Sequence, residues 1–171
     1  MSKYNIAIIG LGYVGLPLLI EFSKYFKTIG LDNNKSRIEE LKKNIDINNE
    51  QKIIKKKLEF TNNHKKIFDC NIYIITVPTP LFKNKKPDLS NLKNASKIIS
   101  KYLKKGDIVI YESTVYPGVT EDLCGQILSN ETNLILNKDF FLGYSPERIN
   151  PGDKYRNLTN IKKIISASSN I

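Results

Sequence analysis

Apolar runs of a few residues alternate along this chain with stretches whose apolar residues recur at helical spacing. The runs at 4–9, 27–32, 58–61, 71–77, 107–111 and 140–144 predict six strands, with a short seventh at 163–167. Helices are predicted from Gly12 to about Tyr25, over a segment with Ile38, Leu41 and Ile45 on one face, and over His64–Phe68. Two more follow: one capped by Asp88 and carrying Leu92, Ala95, Ile98, Ile99 and Tyr102, and one from Val119 to Leu128. Residues 46–57 are polar and lysine-rich and read as a frayed helix end and a loop. The run at 71–77 is almost continuously apolar, as a central parallel strand buried on both faces requires. Strand–helix alternation of this kind predicts an α/β fold with helices on both faces of a parallel sheet, and 171 residues suit one domain.

The first strand runs into Gly10-Leu11-Gly12-Tyr13-Val14-Gly15, a Gly-x-Gly-x-x-Gly fingerprint followed at once by a helical pattern. Gly10 permits the tight turn, Gly12 lets a pyrophosphate approach the backbone, and Gly15 lets the helix pack closely. The helix start presents unpaired N–H groups and the positive end of its dipole to that anion. The second strand ends at Asp32, where a carboxylate accepts hydrogen bonds from ribose hydroxyls and repels a 2′-phosphate. Strand, glycines, helix and acid together predict a doubly wound Rossmann-type sheet that binds NAD rather than NADP.

Composition narrows the picture. The net charge is +10, but arginine occurs only at Arg37, Arg148 and Arg156, and lysines cluster at 55–57, 83–86 and 104–105. No aromatic residues interleave with these lysines, so they read as a solvated surface and no nucleic-acid partner is expected. The excess charge would still attract an anionic nucleotide at low salt. No apolar run approaches the ~20 residues of a membrane span, and residues 1–20 lack a signal-peptide layout, so no membrane insertion and a cytoplasmic location are expected. Cys70, Cys124 and His64 are the only cysteines and histidine, which argues against a disulfide framework or a zinc site.

In a doubly wound sheet, ligands bind outside the carboxyl ends of the strands. Three further segments lie there. Val77-Pro78-Thr79-Pro80 forms a rigid loop that offers the Thr79 hydroxyl, although a plain proline turn accounts for it as well. Glu112-Ser113-Thr114-Val115 brings hydroxyls to the crevice, or caps the next helix, or both. Tyr144-Ser145-Pro146-Glu147-Arg148-Ile149-Asn150-Pro151-Gly152 sets an acid beside a base in a restrained loop, which reads as a polar substrate contact or as a salt-bridged surface turn.

These four motifs, in this order and across essentially the whole chain, resemble the UDP-glucose/GDP-mannose dehydrogenase family. The last looks most like the branch that acts on UDP-N-acetylhexosamines in capsule and O-antigen synthesis. The resemblance implies oxidation of a sugar C6 hydroxyl to a carboxylate with two NAD. It implies backbone contacts from Tyr13 and Val14 to the pyrophosphate, Asp32 on the ribose and Arg37 near the adenosine end. Thr79 and Thr114 would flank the nicotinamide half, and Val77, Pro78 and Ser113 would also contact the cofactor. Thr114 and Glu147 would help order a water near the reacting carbon, and Glu147 and Arg148 would lie near the UDP-sugar.

The family also uses a nucleophilic cysteine in a Gly-Gly-x-Cys-Ile-Pro type segment, and a lysine that stabilises oxyanions. Neither that segment nor the long helix carrying the family's dimer contacts occurs in these 171 residues. The expectation is therefore an NAD-binding domain over residues 1–171, cut short at its C-terminus and inactive by itself, from a full-length enzyme that is a homodimer. A UDP-glucose 6-dehydrogenase portion and a non-catalytic NAD-binding module remain as alternatives. A short relative of the 3-hydroxyacid dehydrogenases shares the opening fingerprint but not the Ser145–Gly152 segment.

Overall fold

The computed structural model describes residues 4–46, 58–148, 158 and 160–169. Seven strands form one sheet: β1 (Asn5–Ile9), β2 (Lys27–Leu31), β3 (Glu59–Thr61), β4 (Ile72–Ile75), β5 (Asp107–Tyr111), β6 (Phe140–Tyr144) and β7 (Ser166–Ala167). Their order is β3-β2-β1-β4-β5-β6-β7. β1 to β6 are parallel, while β7 runs antiparallel to β6 through Gly143↔Ala167 and Tyr144↔Ser166. The expected seventh strand is thus shorter than 163–167 and reverses direction. The order turns around between β1 and β4, so their carboxyl ends splay apart into the crevice of the doubly wound fold.

Side chains alternate across β1, and the two faces explain the apolar pattern. Ile6 and Ile8 face α1 (Gly15–Phe22) and α2 (Lys35–Lys42), packing with Leu16, Leu19, Ile38 and Leu41. Ala7 and Ile9 face the other layer, where α3 (Ser90–Ser100) contributes Leu92, Ala95 and Ile99. Each fully buried leucine or isoleucine contributes about 1.5–3 kcal/mol, so the two layers hold the sheet from both sides. Ile45 departs from its expected face: α2 ends at Lys42, and Ile45 lies exposed beyond it.

Local signals set the helix starts. Asn34 Oδ1 accepts from Arg37 N and caps α2. The cap expected at Asp88 falls one residue early: its Oδ1 accepts from Ser90 N, while Leu89 takes the N-cap position of α3 without a side-chain cap. Residues 64–67 form a 3-10 helix. The helix expected over Val119–Leu128 begins as a π-helix, Val119–Gly125, and continues as α4 (Gln126–Thr132). The lysines at 55–57 and residues 149–152 of the fourth motif lie outside the described residues.

Candidate functional site: the crevice at the strand ends

A cavity of about 840 Å³ opens where β1 and β4 diverge, lined by residues from the ends of β1, β2, β4, β5 and β6. Its volume falls in the range usual for a cofactor site. The structure brings Gly10, Gly12, Tyr13, Val14, Asp32, Val77, Pro78, Thr79, Ser113, Thr114 and Glu147 to this one space. Gly15, Arg37 and Arg148 are not among its lining residues.

The glycine turn is built by close contacts. Gly10 has φ +94°, which L side chains rarely adopt. A Cβ on Gly15 would sit 1.9 Å from the Gly10 carbonyl oxygen and 2.5 Å from Thr76 Oγ1, so α1 can approach the turn only without a side chain there. Gly15 thus acts on packing at the turn and at β4. A Cβ on Gly12 would meet no protein atom within 4 Å, although Gly12 lines the cavity. The space beside that backbone is open to a ligand, and this fits a pyrophosphate lying against it. Regular α1 starts at Gly15 rather than Gly12 with no side-chain cap; Leu16 N donates to the Gly12 carbonyl at 3.1 Å and Pro17 carries no N–H.

Leu11 is held from behind by the next βα unit. Asp32 Oδ2 accepts from Leu11 N at 2.8 Å, and its Oδ1 accepts from Asn34 N at 2.9 Å. Arg37 Nε donates to the Leu11 carbonyl at 3.0 Å, while its guanidinium pairs with buried Asp46 at 2.8 Å. Asp32 lines the cavity and also clamps the turn. Arg37, expected near the adenosine end, is buried behind the turn and braces it. Sequence spacing could not separate these placements, because the side chain reverses towards the protein after leaving α2.

On the other half, two loops are stapled together. Thr79 Oγ1 donates to the Thr114 carbonyl at 2.7 Å, and Ser113 Oγ donates to the Val77 carbonyl at 2.6 Å. Asn91 Nδ2 fixes the Pro78 carbonyl from α3 at 3.1 Å. Thr79 and Ser113 therefore spend their protons on the loops and present acceptor lone pairs to other donors. Thr114 is exposed at the cavity wall, Glu147 is half-buried there, and exposed Arg148 donates its backbone N–H to Glu147 Oε1 at 2.7 Å.

Three residues to which the sequence reading gave no role belong to the site, although Glu112 heads the third motif and Thr76 immediately precedes the second. Thr76 Oγ1 donates to the Gly10 carbonyl at 2.8 Å, joining the two halves at the crevice floor. His64 lines the first half, with Nδ1 2.6 Å from the Tyr102 hydroxyl. Glu112 is buried at the cavity wall and ion-paired with Lys163, and burial, more than any partner, pushes its carboxyl above the usual range. An acid closing a buried strand was the available signal for Glu112; nothing in the sequence linked it to Lys163.

Both thiols are buried: burial pushes Cys70 up to about 11 and also raises Cys124. Neither supplies a thiolate at neutral pH. Among the described residues, no group of three His, Cys, Asp or Glu side chains is placed to hold a metal ion. No helix among them is long and apolar enough to cross a membrane.

Comparison with known proteins is consistent along the chain. The family model for the UDP-glucose/GDP-mannose dehydrogenase family, NAD binding domain, matches residues 4–170. The UDP-N-acetyl-D-glucosamine 6-dehydrogenase of Salmonella typhi is 53% identical, with 99% of this chain and 41% of that protein covered. Protein CapL of Staphylococcus aureus is 48% identical, with 96% and 40% covered. The solved structure of UDP-D-ManNAc dehydrogenase from Pyrococcus horikoshii superposes with a TM-score of 0.81 at 32% identity, covering 95% of this chain and 41% of that one. The chain thus spans about two-fifths of the length of the relatives it matches.

Proposed function

We propose that this chain, which belongs to the UDP-glucose/GDP-mannose dehydrogenase family, supplies the cofactor site for oxidation of the C6 hydroxyl of a UDP-N-acetylhexosamine. NAD is the cofactor of the family's domain. Conversion of the alcohol to a carboxylate takes up one water and passes two hydrides to two NAD, with release of three protons. The product would serve capsule or O-antigen polysaccharide synthesis in the cytoplasm, and the full-length enzyme would be a homodimer.

The observation that carries this reading is the joining of all four motifs around one crevice. In it, the open backbone at Gly12 takes the pyrophosphate, with Tyr13 and Val14 beside it. Asp32 takes the ribose through the acceptor capacity left by its two backbone bonds. The stapled loops of Thr79 and Thr114 hold the nicotinamide half rigid, so the ring is oriented without a conformational cost at the moment of hydride transfer. Glu147 contributes a carboxylate at the same wall, suited to holding a water that attacks an acyl carbon. Arg148 stands outside the cavity wall, where a sugar nucleotide would approach.

With both thiols buried, the 171-residue chain binds NAD but forms no covalent sugar adduct. A chimera tests the reading: this chain replaces the matching portion of the Salmonella typhi relative, and NADH formation is followed at 340 nm. We expect NADH with UDP-N-acetylglucosamine or UDP-N-acetylgalactosamine, no NADH from the 171-residue chain alone, and loss of turnover on Glu147→Gln. A folded chimera inactive on every UDP-sugar refutes the substrate class. Undiminished turnover in Glu147→Gln assigns Glu147 a structural role, whereas a folded chimera that binds NAD but turns over no UDP-sugar favours the non-catalytic module.

A further inference from the structure

His64, the only histidine of the chain, lines the cavity on the side of Asp32 and has no part in the contacts assigned to NAD so far. Its place is set from two directions. Asp32 N donates to the Thr61 carbonyl at 3.1 Å, which brings the end of β3 beside Asp32. Asn63 N then donates to Thr61 Oγ1 at 3.0 Å, and Asn63 Oδ1 accepts from Lys65 N at 3.0 Å, so the turn that carries His64 is locked. From the other direction, α3 lays Asn91, Ala95 and Ile98 along the cavity on one helix face. Asn91 holds the Pro78 carbonyl at one end of that stripe, and Tyr102, four residues beyond Ile98, meets His64 at the other.

The imidazole is held at one nitrogen and available at the other. Nδ1 lies 2.6 Å from the Tyr102 hydroxyl, and the two rings meet at 5.8 Å. Tyr102 is anchored in turn, its carbonyl accepting from the Tyr73 hydroxyl at 3.3 Å. A phenol O–H is a stronger acid than a neutral imidazole N–H, and an imidazole nitrogen is a stronger base than a phenol oxygen. The proton of this short bond therefore belongs to Tyr102, and Nε2 carries the N–H. Among the described residues Nε2 has no hydrogen-bond partner, and it is open to solvent. A donor already fixed at a cavity wall loses little freedom when a ligand engages it. With the ribose on Asp32, the attached base reaches the end of the α3 stripe, where Ala95 and Ile98 offer an apolar face and His64 a polar edge. Adenine has the matching chemistry: flat apolar faces, with the acceptors N1 and N7 on its outer edges. We propose that His64 Nε2 donates to a ring nitrogen of the adenine, with Tyr102 as its positioning residue, so that this end of the cavity reads the base of the cofactor. This inference rests on the NAD reading above and goes beyond it in naming the group that selects the base.

The test is calorimetric titration of the 171-residue chain with three dinucleotides, alongside thermal melts to check that each variant folds. The three are NAD, nicotinamide hypoxanthine dinucleotide, whose N1 is protonated, and the 7-deazaadenine analogue of NAD, which lacks N7. One neutral hydrogen bond corresponds to about fivefold in affinity, and the wild type should bind at least one analogue that much more weakly than NAD. His64→Phe, which keeps a ring and removes the donor, should weaken NAD by the same factor and bind all three dinucleotides alike. Tyr102→Phe leaves His64 in place without its anchor, so it should weaken NAD less and narrow the wild-type discrimination. Added to His64→Phe, it should change neither. A merely structural pair lowers the affinity for all three equally and leaves the discrimination intact in His64→Phe. If His64→Phe does not fold, Tyr102→Phe decides, because it must narrow the discrimination. A wild type that binds NAD and both analogues equally, or discrimination that survives in His64→Phe, overturns this inference alone. Failure of the wild type to bind any of the three overturns the cofactor reading and this inference with it.

Discussion

Asp32→Ala tests two roles of one carboxylate, and the structure separates them by magnitude. Its removal leaves the N–H of fully buried Leu11 without its acceptor at 2.8 Å. An orphaned buried donor costs about 1–3 kcal/mol. The bond to Asn34 N lies at the surface, where water replaces the carboxylate, and adds little. For a domain of this size 1 kcal/mol corresponds to roughly 2–4 °C, so the apo variant should melt roughly 2–12 °C lower. At the cofactor, each lost charge-assisted hydrogen bond to ribose is worth about 1.5–3 kcal/mol, so NAD affinity should fall at least about tenfold. NADP should lose little, because the carboxylate that repels its phosphate is gone, and the NAD/NADP affinity ratio should approach unity. Asp32→Asn divides the effects: its amide oxygen can still accept from Leu11 N, so the melting point recovers while discrimination against NADP stays weak. Calorimetric titration with both dinucleotides, alongside melts of the apo proteins, reads both arms. Superimposable NAD titrations for wild type and Asp32→Ala would refute the ribose role, and an unchanged melting point would refute the clamp.

Arg37→Leu leaves the Asp46 carboxylate buried without its guanidinium and the Leu11 carbonyl without its donor. A loss of about 3–5 kcal/mol is expected. A melting point within 2 °C of wild type, in a domain where ~1 kcal/mol moves it by that much, would contradict the bracing role. Burial raises the Asp107 carboxyl to about 6, against an opposing hydrogen bond from Lys104 N, so the folded chain holds this proton more tightly than the unfolded one. Its contribution to stability is complete below the unfolded value of about 4, is lost as pH rises to about 6, and stays lost above. Urea unfolding of wild type and Asp107→Asn should therefore give a stability difference that declines over that window, and a difference constant with pH would count against the shift. Cys70 and Cys124 should both resist iodoacetamide at pH 8 in the folded protein and react on unfolding; rapid labelling of the native chain would show that a thiol is reachable.

The strand–helix alternation, the glycine turn and the acid after β2 were legible in the sequence because each depends on interactions within a few residues. Side-chain alternation in β1, helical spacing in α3 and the positive φ at Gly10 are local requirements, and local pattern reports them. The motifs after β4, β5 and β6 could be assigned to one crevice because parallel strands bring their carboxyl ends to the same side. Helix limits were less legible: the π-helical start at Val119 and the exposure of Ile45 depend on how the segments dock.

Tertiary structure alone decided what each polar side chain does. Arg37 and Glu112 could each pair with many partners by sequence, yet one turns inward to hold the Leu11 carbonyl and the other meets Lys163, 51 residues away. Such pairings form between distant segments at a buried wall, where desolvation makes an unmatched charge costly, and no local spacing encodes the partner. The sequence by itself determined that a dinucleotide site exists and where its backbone turns. Packing decided which side chains face the crevice and which support those that do.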